Sequence, residues 1–146
     1  MSSSAVSVLV VDDEPAIRDT TAALLEDDYV VEQSANAREA LKLLGSRRFD
    51  VICTDYRMPG MTGVDLLRAA QRMYPGITGI VVTAYADYPE HQSSFREVPC
   101  LVLLKPYEPQ QLHSMVARSA KLSRMKQVSH EAAVESQRLA TRVQKK

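Results

Sequence analysis

Three carboxylates, a hydroxyl and an amine stand where apolar runs of this chain stop. Val8-Leu9-Val10-Val11 leads into Asp12-Asp13, and Val51-Ile52-Cys53-Thr54 leads into Asp55. Two further apolar runs end at Thr83 and at Lys105. If these runs are strands of one parallel sheet, all five side chains converge on the crevice beyond the strands' carboxyl ends, where open α/β sheets bind ligands. Three converging acids repel one another unless a cation offsets them or one takes up a proton. An all-oxygen set of this kind suits Mg²⁺, and the chemistry it serves is phosphoryl transfer. Asp55 is the carboxylate nucleophile that would form an acyl phosphate. Asp13, with Asp12 beside it, would hold the ion that clamps the phosphoryl oxygens. Lys105 offers a compact positive charge to another of those oxygens, and the Thr83 hydroxyl can donate to the new phosphate. Taken singly, each residue has a plainer use: Asp13 as a helix cap, Thr83 for strand propensity, Lys105 as a solvated charge. Their shared position at strand ends favours the joint reading.

The elements that must position these groups follow from the apolar pattern. Strands are expected at Val6–Val11, Tyr29–Gln33, Phe49–Thr54, Gly79–Thr83 and Cys100–Leu104, most of them β-branched and nearly continuous in apolarity, as strands covered on both faces are. Helices are expected between them. The first has Pro15 in its opening turn and an inward stripe of Ile17, Thr21, Leu24 and Leu25. The second spans Ala37–Leu44, with Asn36 as N-cap and Gly45 just past its end. The third runs Gly63–Met73 and stops before Pro75-Gly76. The fourth, near Asp87–Arg96, is polar with only Phe95 as an anchor, and the fifth begins near Pro109 with no evident stop. Alternation of strand and helix, with right-handed crossovers, implies a doubly wound α/β domain: a (βα)5 flavodoxin-like parallel sheet, strand order 2-1-3-4-5.

Bulk composition excludes several classes. The chain is 45% hydrophobic and 25% charged, with no apolar run of membrane-spanning length and no basic-plus-apolar leader at Met1-Ser2-Ser3-Ser4, so a cytoplasmic location is expected. Cys53 and Cys100 lie in apolar runs and read as free core thiols. Net charge is zero but divided. Residues 1–106 hold 10 Lys and Arg against 15 Asp and Glu, net −5, and residues 107–146 hold 8 against 3, net +5.

Four motifs, in order, resemble the receiver domain of two-component response regulators: Val10-Val11-Asp12-Asp13-Glu14-Pro15, Asp55-Tyr56-Arg57-Met58-Pro59-Gly60-Met61-Thr62-Gly63, Val82-Thr83-Ala84 and Lys105-Pro106. The resemblance covers about residues 5–120. It implies that Asp55 accepts phosphate from a histidine kinase or phosphotransfer protein. It implies also that Asp13, Asp55 and the Arg57 backbone carbonyl ligate Mg²⁺, that Asp12 acts through water, and that the Lys105–Pro106 bond is cis. Function then follows as a phosphorylation-controlled switch acting through a downstream protein target. Any catalysis is directed at the chain itself, so it is not an enzyme in the ordinary sense. The alternative is a phosphorylation-independent scaffold or dimerisation module. A Mg²⁺-dependent phosphohydrolase lacks a second acid two residues after Asp55, and a flavin-binding fold would need a phosphate-cradling loop where Asp12-Asp13 stand.

The chain departs from this family at one switch position. Receivers carry Tyr or Phe three residues before the lysine, and here that residue is Val102; Tyr85, Tyr88 and Phe95 are the candidates to replace it, and all three read equally as ordinary packing on a short helix. Arg57 and Tyr85, two residues after Asp55 and Thr83, occupy positions where receivers tune the access of hydrolytic water. A shielding role for the Tyr85 ring competes evenly with an outward, partner-facing one.

The receiver is expected over residues 5–122, with a basic helical extension over 123–146. Leu122, Met125, Ser129, Ala132, Ser136, Leu139 and Val143 recur at spacings of 3 and 4, a heptad seam weakened by two serines and an alanine. A single extended helix continuing the fifth is favoured, with dimerisation, partner docking and a frayed end as competing uses. Nucleic-acid binding rests only on the basic excess, and the tail is too short for a helix-turn-helix module.

Overall fold

The computed structural model describes residues 5–84, 93 and 95–144. Five strands, β1 (Ser7–Val11), β2 (Val30–Ser34), β3 (Val51–Asp55), β4 (Thr78–Ala84) and β5 (Leu101–Lys105), form one parallel sheet in the order β2-β1-β3-β4-β5. The chain steps outward from β1 to β2, then returns to the other side of β1 with β3. The crevice at that reversal therefore opens between the ends of β1 and β3, where Asp12 and Asp55 stand. Strand bounds agree with expectation to within two residues.

Side chains alternate along each strand, so each face takes every second residue. Leu9, Val11, Ile52 and Val81 pack against the layer formed by α2 (Ala37–Ser46) and α3 (Gly63–Met73), through Ala40, Leu44, Val64, Leu67 and Ala70. Val8, Val10, Val51, Cys53, Ile80, Val82 and Leu103 pack on the other face, with Leu25 of α1 (Pro15–Leu25) and Leu112, Val116 and Ala120 of the C-terminal helix α4 (Pro109–Gln144). Both faces are covered, which explains the unbroken apolarity of the strands. Each fully buried Leu or Ile contributes about 1.5–3 kcal/mol.

Local signals account for the helix starts. The Asn36 side chain accepts from the Glu39 N–H at 2.8 Å, and Thr62 accepts from Asp65 N–H at 3.1 Å, each satisfying one of the orphan donors of a first turn. Helix α2 continues through Gly45 to Ser46, beyond the expected stop, because Arg47 N–H still bonds the Leu43 carbonyl. In α1 the stripe narrows: Thr21, Ala22 and Leu25 are buried, while Ile17 and Leu24 are half-buried. Of the expected fourth helix, Ser93 and residues 95–97 are helical; the rest of Asp87–Arg96 lies outside the described residues.

Helix α4 has 36 residues, about 54 Å at 1.5 Å per residue. It runs unbroken across residue 122. Ser123 is buried and donates to the Gly76 carbonyl at 2.7 Å. Arg124 and Gln127 reach Asp50 at 3.2 and 2.8 Å. From Val128 to Ala140 every residue is exposed, and the apolar seam members Leu122, Met125 and Leu139 face solvent at 39%, 58% and 48%.

Candidate functional site

The register of β1 on β3 pairs Val11 with Thr54, so the next residues, Asp12 and Asp55, stand level at the crevice. Asp12, Asp13 and Asp55 each present a carboxylate oxygen within 4.8 Å of the others. Exposure is graded: Asp12 is buried, Asp55 half-buried, and Asp13 open to solvent. The acids are held from behind. Asp12 accepts the Glu14 N–H at 2.9 Å through its side chain, and Arg18 donates to its backbone carbonyl at 2.7 Å. The Asp13 side chain does not cap α1, whose N-cap is Glu14 without a side-chain bond.

Lys105 arrives from the end of β5, and its Nζ lies 3.0 Å from Asp55 Oδ1. The Lys105–Pro106 bond is cis. Burial pushes the Asp55 carboxyl up; the Lys105 hydrogen bond and charge pull it down, and the Asp12 and Asp13 charges push it up, so it rests above the ordinary carboxylate range. Burial alone would lower the Lys105 amine, but the hydrogen bond and charge of Asp55, with Asp12 and Glu14 behind, raise it. The pocket thus strains against its own negative charge and keeps its lysine firmly protonated. That is the electrostatic setting for a cation.

Thr83, near the end of β4, is 2% exposed, and its hydroxyl oxygen has no hydrogen-bond partner among the described residues. A buried hydroxyl left without a partner costs about 1–3 kcal/mol, a cost that an acceptor in the crevice would remove. Arg57 lies exposed on the loop after Asp55 and lines the outer cleft with Asp13, Met58, Pro59 and Thr62. That loop turns at Gly60, whose φ of 86° favours glycine. It closes at Gly63, where a Cβ would sit 2.4 Å from the Asp55 carbonyl oxygen. Glycine is required there so that α3 can begin hard against the end of β3.

The structure therefore brings Asp12, Asp13, Asp55 and Lys105 into one cluster, with Thr83 at the end of the strand between β3 and β5. Val102 is half-buried and pairs with Val81 across β4 and β5. Tyr85 and Tyr88 lie outside the described residues. Cys53 and Cys100 are free thiols, raised by burial to about 12 and about 11 respectively, Cys53 also by the charges of Asp12 and Asp55; neither is poised as a nucleophile. Sequence reasoning passed over Arg18 and Asp50, whose partners lie on other elements, and gave Tyr56 no role. Among the described residues no helix is long and apolar enough to cross a membrane.

The acidic trio resembles a Mg²⁺ site in donor type and spacing. Known proteins extend the likeness. HoxA, a hydrogenase transcriptional regulatory protein of Cupriavidus necator, is 34% identical over 120 residues, which make up 82% of this chain and 25% of HoxA; the chain spans a quarter of that relative's length. An uncharacterised 14.6 kDa protein from the sodA1 3′ region of Leptolyngbya boryana is 35% identical over 76% of this chain and 87% of its own. The crystal structure of a CheY-like response regulator receiver domain protein from Methanospirillum hungatei superposes with a TM-score of 0.75 at 30% identity, over 84% of this chain and 98% of that one. A sequence profile of the response regulator receiver domain matches residues 8–117. With the five-stranded 2-1-3-4-5 sheet and the strand-end acids on one crevice, the chain belongs to the response regulator receiver domain family.

Proposed function

We propose that this chain is a phosphorylation-controlled switch in which Asp55 is the acceptor. The observation that carries the reading is the Asp55 carboxylate held 3.0 Å from Lys105 Nζ within a trio of carboxylates. A carboxylate oxygen of Asp55 attacks the phosphorus of a phosphohistidine on a kinase or phosphotransfer protein. A P–O bond forms, the P–N bond breaks, and the imidazole nitrogen leaves with the electron pair and is protonated. Asp12, Asp13, Asp55 and the Arg57 carbonyl would hold Mg²⁺, which when bound supplies the positive charge that lets an anion approach this acidic crevice. Lys105 keeps its contact with the acceptor side and stabilises a phosphoryl oxygen as charge builds there. Exposed Asp13 and the outer cleft leave a path for the donor.

Phosphorylation exchanges the single charge of the Asp55 carboxylate for about two negative charges on the phosphoryl oxygens, and the Thr83 hydroxyl donates to one of the new oxygens. The chemistry is directed at the chain's own side chain, and the output is a changed surface read by another protein. Treatment with acetyl phosphate and Mg²⁺, followed by intact mass, tests this. One added phosphoryl group in the wild type and none in Asp55→Asn is the expected result; equal uptake by both, or none by either, overturns it. Val102 favours a second reading, a phosphorylation-independent scaffold, because a ring that could follow Thr83 inward is missing from β5.

A further inference from the structure

A groove beside α2 and an apolar stripe on the free end of α4 both lie open among the described residues. The groove runs between the first two turns of α2 and the Pro59-Gly60-Met61 loop, with a volume of about 710 Å³. Ala37, Leu41, Pro59 and Met61 give it an apolar floor, and Arg38 and Lys42 stand on its rim. Both cations are exposed, one helical turn apart, and neither has an ion pair or hydrogen bond among the described residues. An apolar floor edged by two free cations fits an amphipathic helix whose apolar stripe is flanked by acids.

The end of α4 carries such a face. Met125, Val128, Ala132 and Leu139, at spacings of 3, 4 and 7, fall within about 60° of one another around a helix. Val128 is 66% exposed. Along one edge of the stripe stand Glu131 and Glu135, one turn apart and the only acids of residues 123–146. Glu135 meets Arg138 at 3.4 Å, but both side chains are well exposed, so that pair resists exchange only weakly. The chain cannot fill its own groove. Ser123 and Gln127 fasten α4 at the base of the sheet, to the Gly76 carbonyl and to Asp50. From there the unbroken helix carries residues 128–144 about 25 Å further in the same direction. The groove opens beside the loop that follows β3, at the opposite end of the strands. A second copy has no such restriction.

We propose that the groove on α2 receives the α4 tail of a second copy of this chain, and that the exchange is reciprocal. Two copies meeting base to base about a two-fold axis each give one tail and one groove. Each tail then runs antiparallel to the other copy's α2. Glu131 falls against the partner's Lys42 and Glu135 against the partner's Arg38, because both pairs are four residues, about 6 Å, apart along their helices. The stripe of Val128, Ala132 and Leu139 leaves water for the groove's apolar floor. A tail-to-tail coiled coil would leave the groove and both cations uncovered. The exchange depends on concentration: in dilute chain the tail is free, and its amides beyond Gln127 exchange quickly. It does not depend on Asp55 being the acceptor.

Sedimentation velocity of the full chain over the micromolar range tests the exchange, with far-UV circular dichroism to confirm that each variant folds. The wild type should dimerise. Arg38→Glu with Lys42→Glu should weaken the dimer at least about tenfold, since it brings like charges together across the contact. Glu131→Lys with Glu135→Lys should do the same. Mixed one to one, these two double variants should regain wild-type pairing, because each tail then meets a groove of opposite charge. A wild type that stays monomeric over this range overturns the proposal. So does a dimer unaffected by Arg38→Glu with Lys42→Glu, the result that a tail-to-tail coiled coil would give. A mixture no more dimeric than its separate components overturns it as well.

Discussion

Replacing Arg124 with Met removes the ion pair that helps fasten the long helix to the base of the sheet, together with the Arg124 bond to the Ala5 carbonyl at 2.9 Å. Arg124 Nη2 lies 3.2 Å from Asp50 Oδ2, with side-chain exposures of 37% and 12%. Two unit charges at that distance attract by about 1.3 kcal/mol in a water-like medium and about 5 kcal/mol at an effective dielectric of 20. The guanidinium is more than a third exposed, so screening puts the expected value near the lower bound, about 1–2 kcal/mol. Burial by itself would raise the Asp50 carboxyl, but the Gln127 hydrogen bond, the Ser7 N–H and the Arg124 charge and hydrogen bond together hold it below the usual range. For an acid whose folded value is depressed, the stabilisation is present above its unfolded value and is lost as pH falls through the folded one. Urea unfolding should therefore show Arg124→Met about 1–2 kcal/mol less stable at neutral pH, with the deficit shrinking once Asp50 is protonated. A deficit that is the same at neutral and strongly acidic pH would show that Arg124 acts through its stem packing and its bond to the Ala5 carbonyl, and the electrostatic account of the clasp would be refuted.

Three other outcomes follow from particular contacts. Gly63→Ala forces a methyl against the Asp55 carbonyl, so it should cost about 1–3 kcal/mol by denaturant unfolding and slow phosphoryl uptake by mass; an unaffected variant would mean that α3 can withdraw freely. Asp55→Asn in chelator should be more stable than wild type at neutral pH, because the ionised carboxylate is disfavoured by its burial and by Asp12 and Asp13; a lowered melting temperature would show that the Lys105 contact outweighs both. Amides beyond Gln127 in α4 should exchange at least about tenfold faster than those of Leu112–Ser123, since only the latter stretch has buried residues. Equal protection over both would mean that the exposed seam is covered, as by a second copy.

Much of this protein was legible before any coordinates. Strand-forming runs declared themselves because a parallel sheet buried on both faces needs unbroken apolar residues, and their ends marked Asp12, Asp13, Asp55, Thr83 and Lys105. Asn36 and the Pro75-Gly76 stop act within a few residues, so local sequence is enough to set them. The Gly45 stop failed because glycine permits a helix end without imposing one; the backbone bond from Arg47 to Leu43 decided the matter.

What only the tertiary structure decided are the contacts between elements distant in sequence. Nothing in the Phe49-Asp50 dipeptide announces a partner 74 residues away, yet Asp50, Arg124 and Gln127 meet at the base of the sheet. Nor does the sequence pair Tyr56 with Phe95, or leave the Thr83 hydroxyl buried without a partner among the described residues. Pattern and propensity are properties of neighbouring residues, whereas desolvation, ring contact and charge spacing depend on which surfaces the sheet brings together. The sequence by itself determined which residues could do chemistry and at which ends of which elements they stand; folding determined that Lys105 comes within 3.0 Å of Asp55 and that the three acids press on one another, because only packing sets distances across strands.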